Sequence, residues 1–164
     1  QTSKFEKALE AVKKLIKIKT NRKGFIEYKR FENKIIARFD RGEEVHESLK
    51  KIAIKEDIKL ASISTIGATD DFTICVYKVD DKSYTEKNFQ GIFEILAING
   101  TITTKDGKYY PHLHISVADD KGNGLGGHLI RANISVTCEM VIDISDGFVG
   151  RKMNDEIGIN LLDF

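Results

Sequence analysis

Three of the four histidines in this 164-residue chain fall in one short stretch. His112 and His114 stand in Pro111-His112-Leu113-His114-Ile115-Ser116, and His128 stands in Gly126-Gly127-His128-Leu129. Between them runs Asp119-Asp120-Lys121-Gly122-Asn123-Gly124, a run of turn formers. The layout predicts a β-hairpin carrying three imidazoles. Side chains two apart on a strand leave the same face, so His112 and His114 point together while Leu113, Ile115 and Val117 alternate into a core. A turn centred on Lys121 sets His128 across from His114 and Leu113 across from Leu129, and one register then serves both faces. A single His-x-His on a solvent-facing strand needs no function; the third histidine at the opposed position sets a metal site beside that plain reading. Three converging neutral imidazoles suit zinc or another divalent ion. Three protein ligands leave a fourth position to water or a small molecule, the pattern of an open site.

Other residues that could do chemistry are fewer. Cys75 and Cys138 each sit alone in a strand-like apolar run, so both are expected as buried thiols. Gly122, Gly124, Gly126 and Gly127 are not a nucleotide-binding loop, because a strand rather than a helix follows them. Gly126 and Gly127 beside His128 leave room for an incoming ligand or a neighbouring chain. Glu94 interrupts the apolar run Phe93-Glu94-Ile95-Leu96 and is the one candidate general base, its plainer role being a buried hydrogen bond or a subunit contact. His46 lies beside Val45 on a helical segment and reads as a surface or boundary residue.

The elements that must position these residues follow from periodicity. Residues 2–19 carry Phe5, Leu9, Val12, Leu15 and Ile16 at helical spacing among lysines, with Asn21-Arg22-Lys23-Gly24 as the stop. Strands are expected over 28–31 and 35–39, and a helix over 43–56 buries Val45, Leu49, Ile52 and Ala53. Short strands over 61–67, 72–77, 82–86 and 93–103 follow, then the histidine hairpin and a last strand over 134–144. Asp80-Asp81 and Asp106-Gly107 mark tight turns. Connections too short for helical crossovers make the sheet antiparallel. The fold class expected is α+β: one domain, a largely antiparallel β-sheet with flanking helices.

Composition, at 41% hydrophobic and 31% charged residues, is that of a globular domain. No apolar run approaches the roughly 20 residues of a membrane helix. The basic N-terminal segment lacks the apolar stretch and cleavage site of a secretory signal, and the two cysteines give no disulfide framework. A cytoplasmic location is therefore expected. Charge is unevenly placed. Residues 1–24 hold eight basic and two acidic groups, or +6, and residues 25–164 hold the other 18 basic and 23 acidic groups, or −5. The chain thus divides into a basic amphipathic helical extension, 1–24, and a body, 25–164.

Several motifs resemble a known family. Arg38-x-Asp40-x-Gly42-Glu43-Glu44, Ser62-Ile63-Ser64-x-Ile66-Gly67-Ala68, Gly91-x-Phe93-Glu94-Ile95-Leu96 with Gly100, His112-x-His114-x-Ser116 and Gly126-Gly127-His128-Leu129 look like the plant and prokaryote conserved (PPC) domain. The resemblance runs from about Ile26 to Ile144. It implies a homotrimer built on an antiparallel sheet, metal ligation by His112, His114 and His128, and a DNA-binding or regulatory role. The Arg-Gly-Arg AT-hook that accompanies the domain in plants is missing. DNA binding is therefore expected to be weak and carried by residues 1–24. The alternative is a metal-dependent enzyme or small-molecule sensor acting at the open metal position.

Overall fold

The computed structural model describes residues 25–164 together with Glu6, Lys7, Ala8 and Glu10. Those four are helical and exposed; the rest of the basic helix expected over 2–19 lies outside the described residues. No described helix is long and apolar enough to cross a membrane.

The body opens with a hairpin of β1 (Glu27–Phe31) and β2 (Lys34–Asp40), turning at Glu32 in the left-handed region (φ 51°). On β2, Ile35, Ala37 and Phe39 are buried and the residues between them exposed, the strict alternation of a one-sided strand. Helix α1 (Val45–Lys55) follows. Its cap is Glu44, whose carboxylate accepts from the Glu47 N–H at 2.8 Å and from the Ala132 N–H at 3.0 Å. One residue thus closes the helix N-terminus and ties it to the sheet. Val45, Leu49, Ile52 and Ala53 are buried, as their spacing requires.

Four long strands make the rest of the body: β3 (Ala61–Lys78), β4 (Ser83–Lys105), β5 (Lys108–Asp119) and β6 (Gly124–Ile144). All pairings are antiparallel, in the order β1-β2-β6-β3-β4-β5. Strand β6 pairs with β2 through Thr137–Asp143 and with β5 through Gly124–His128, so β3, β4, β5 and β6 close into a ring. Leu113, Ile115, Val117, Leu129, Phe72 and Ile98 belong to one buried core.

The segments expected as separate strands at 61–67 and 72–77, and at 82–86 and 93–103, are continuous in β3 and β4. Their polar interruptions are register shifts, such as that between Thr69 and Asp71, rather than turns. Asp71 is accommodated there because Arg131 grips its carboxylate through two nitrogens at 2.9 and 3.2 Å, with Asn88 adding a third bond at 2.8 Å. A final hairpin, β7 (Gly150–Asn154) and β8 (Ile159–Asp163), forms its own two-stranded sheet. No sequence expectation covered it, since its residues alternate too weakly to announce a strand.

Candidate metal centre

The β5–β6 hairpin is fixed by its loop. Asp119 accepts from the N–H groups of Lys121 (2.9 Å) and Asn123 (2.8 Å) and from the Asn123 amide (3.0 Å), and Gly122 takes a positive φ of 82°. These bonds hold the Asp119 carboxyl below its usual range. The resulting ladder runs from Ala118 opposite Gly124 to His114 opposite His128, so the turn is centred on Lys121. It stops there. Leu113 pairs with Gly100 of β4 and Leu129 with Ile74 of β3, which corrects the expected Leu113–Leu129 pair, although both leucines are buried. Strand β6 leaves β5 at His128 because its continuation is held against β3.

Gly100 sets the other side of the site. A Cβ there would lie 1.9 Å from the carbonyl oxygen of His112. The missing side chain lets β4 press against β5 where His112 is carried.

The three imidazoles converge. Their ring centroids are 5.1, 5.2 and 5.4 Å apart, and each ring offers a nitrogen within 4.8 Å of the other two. Nε2 of His112 lies 3.2 Å from Nε2 of His114. A tetrahedral ion bonded to nitrogens at about 2.0–2.1 Å separates those nitrogens by roughly 3.3–3.4 Å. The His112–His114 spacing matches that value, and the three-nitrogen donor set is one that suits a divalent ion. Burial is the main cause that lowers the His112 and His128 pKa values, followed by the neighbouring imidazoles; His128 falls to about 4. Unprotonated imidazole is the form that ligates.

The cluster opens into a cavity of about 680 Å³, within the usual range for small-ligand sites. Tyr77, Tyr84 and Tyr110 line it, as do Cys75 and Gly127. The β7–β8 hairpin adds Arg151, Met153, Ile159 and Asn160. That hairpin is clamped in place. Tyr77 donates its hydroxyl to the Ile157 carbonyl, and Lys82 donates to the Asp155 carbonyl at 2.6 Å. The Arg151 guanidinium stacks 4.8 Å from the Tyr110 ring and donates to Thr103 Oγ1 at 2.9 Å.

The remaining sequence candidates are elsewhere or play other parts. Glu94 is exposed and lines a different, shallow depression with Ile66, Leu96, Val136 and Glu139; it is not among the residues around the histidines. The space at Gly126 is taken by the Ile115 carbonyl, 2.5 Å from where a Cβ would stand, and that at Gly127 by the Ile74 side chain. These glycines thus make room for the chain itself, and only Gly127 borders the cavity. His46 Nε2 lies 3.0 Å from the Leu129 carbonyl, a boundary residue tying α1 to β6. Cys75 and Cys138 are both buried and unbridged, and burial raises both thiol pKa values. Sequence reasoning missed Tyr110, Arg151 and Asn160. None belongs to a motif, and two arrive on a hairpin that only tertiary packing brings over the histidines.

Residues 26–145 match the Plants and Prokaryotes Conserved (PCC) domain. The chain is similar to a candidate DNA-binding protein of Bacteroides thetaiotaomicron (29% identity, TM-score 0.83, covering 85% of this chain and 97% of that one). A second candidate DNA-binding protein, from Ralstonia eutropha, shares 27% identity at TM-score 0.78 over 87% and 97% of the two chains. A metal-containing protein of Archaeoglobus fulgidus shares 26% identity at TM-score 0.74 over 85% and 99%. No curated protein matches the chain.

Proposed function

Because the chain belongs to the Plants and Prokaryotes Conserved domain family, we propose that it is a homotrimeric metal-binding module whose working centre is a divalent ion, zinc first, held by His112, His114 and His128. One observation carries this reading: three imidazole nitrogens lie within 4.8 Å of one another at the edge of a cavity able to take a small molecule. The Archaeoglobus neighbour that contains a metal supports it. When bound, the ion supplies an open coordination position for a ligand atom. Burial favours the unprotonated form of His112 and His128, and tyrosines surround the position. Small-molecule binding there fits a sensor or regulatory module better than an enzyme, because Glu94, the one candidate base, does not line that cavity.

Support for the trimer comes from exposed apolar side chains on strands. Ile66, Leu96 and Val136, each more than half exposed, share one depression. Surface of that kind suits a contact between chains. A cytoplasmic location accords with the two buried, unbridged cysteines.

A DNA-binding role is the second reading, favoured by the two candidate DNA-binding neighbours. Phosphate neutralisation dominates such affinity, and the −5 body is poorly suited to it. Contact is assigned to residues 1–24.

Equilibrium dialysis of chelator-stripped protein against zinc tests the centre. About one ion per chain should bind, on particles of three chains by light scattering, and His114→Ala should lose most of it. Unchanged uptake by the variant, or no uptake by either protein, contradicts the reading.

A further inference from the structure

Arg151 brings a positive charge to the cavity, and none of the other residues lining it is an aspartate or glutamate. Among the described residues Arg151 has no carboxylate partner. Its hydrogen bonds to described residues run to a hydroxyl, Thr103 Oγ1, and to a carbonyl, that of Asn160 at 3.3 Å. By contrast Arg131, Arg30 and Arg38 are each paired with an acid. Glu86 stands opposite Cys75 on β4 but lies outside the lining. A partly buried guanidinium held by neutral groups on a hairpin clamped at several points is a cation without compensation. A divalent ion on the neighbouring histidines would add two more positive charges and no negative one. A second polar group is unsatisfied in the same wall: the Asn160 side-chain oxygen is buried with no donor.

We infer that this cavity binds a small organic carboxylate, with Arg151 as the residue that recognises the carboxylate. The inference rests on the three-histidine metal reading for the second point of attachment. Arg151 offers a charge-assisted bond, and its stacking on Tyr110 fixes the guanidinium plane. The tyrosines and Met153 form apolar walls suited to the body of an organic acid, which a free inorganic anion would leave unused. The hairpin that supplies Arg151 and Asn160 lies beyond residues 26–145, which match the family.

The test is calorimetric titration of the zinc-loaded protein with benzoate, its uncharged analogue benzamide, and inorganic phosphate. Arg151→Gln and Arg151→Lys are titrated alongside, each checked for fold by circular dichroism and for zinc content. Benzoate should bind more tightly than benzamide and phosphate. Arg151→Gln should lower benzoate affinity roughly ten- to a hundredfold with benzamide little changed, and Arg151→Lys should recover part of the loss. The ratio of the two affinities separates a charge contact from a purely structural role, since loosening the hairpin would weaken both ligands alike. Equal weakening of both, or phosphate binding as tightly as benzoate, overturns the inference. Zinc content is read independently. A protein that holds zinc but does not distinguish benzoate from benzamide refutes the carboxylate site alone, whereas one that holds no zinc refutes the metal reading.

Discussion

An imidazole ligates a metal only when unprotonated, so the state of His112 and His128 decides whether the site is ready. Both are held below the ordinary histidine value near 6.5, His128 at about 4, chiefly by burial. The unfolded chain, with ordinary histidines, binds protons more tightly across the window from about 6.5 down to 4. Stability of the metal-free protein is therefore full above that window and is lost as pH falls through it. Thermal melts of stripped protein should show a falling Tm between pH 6.5 and 4, and His128→Gln should flatten much of the fall. An unchanged slope in the variant would remove His128 as the cause. Asp71 and Glu56, whose carboxyls are lowered by hydrogen bonds from Arg131 and Tyr28, add losses only toward the carboxylate range.

Between the elements, the histidine hairpin carried its own information. Its loop residues, its two-residue spacing and its apolar alternation all specified one register, and His114 stands opposite His128 as that register demands. Elements built from local pattern were legible in the same way: β1, β2, α1 and the antiparallel pairing. What was not legible depends on distant contacts. The polar breaks in β3 and β4 read as turns because nothing nearby in sequence shows that Arg131 and Asn88 will satisfy Asp71. The β7–β8 hairpin has little alternation and is placed by Tyr77 and Lys82, more than seventy residues away. Glu94 sits in an apolar run, yet β4 turns it toward a depression remote in composition from the imidazoles. Gly100 is the sharpest test at this scale. Gly100→Ala drives a Cβ into the His112 carbonyl, so strands must part. Urea unfolding should show a loss of about 1–3 kcal/mol, and zinc affinity should fall with it as His112 moves. An unchanged midpoint and affinity would mean the strand contact does not position the site.

For the whole molecule, the separation of charge governs encounters with polyanions. The body at −5 repels phosphate, and the +6 of residues 1–24 attracts it; in the proposed trimer three such segments would concentrate the effect. Protein consisting of residues 1–164 should bind duplex DNA weakly, with little sequence preference and steep loss as salt rises from 50 to 200 mM, roughly the range over which counterion release is most visible. Protein consisting of residues 25–164 should not bind. Tight, sequence-selective binding by the shortened protein at moderate salt would overturn this assignment and place readout in the folded body.

In the proposed site His112, His114 and His128 hold one ion in an open, four-coordinate geometry. Cobalt(II) substitutes for zinc and reports coordination in its visible spectrum, where tetrahedral geometry absorbs strongly and octahedral geometry weakly. Titration of stripped protein with cobalt should give intense bands that saturate at about one ion per chain, disappear on His114→Ala and shift when a small anion enters the fourth position. Weak octahedral bands, saturation at several ions per chain, or a spectrum that His114→Ala leaves intact would contradict the site.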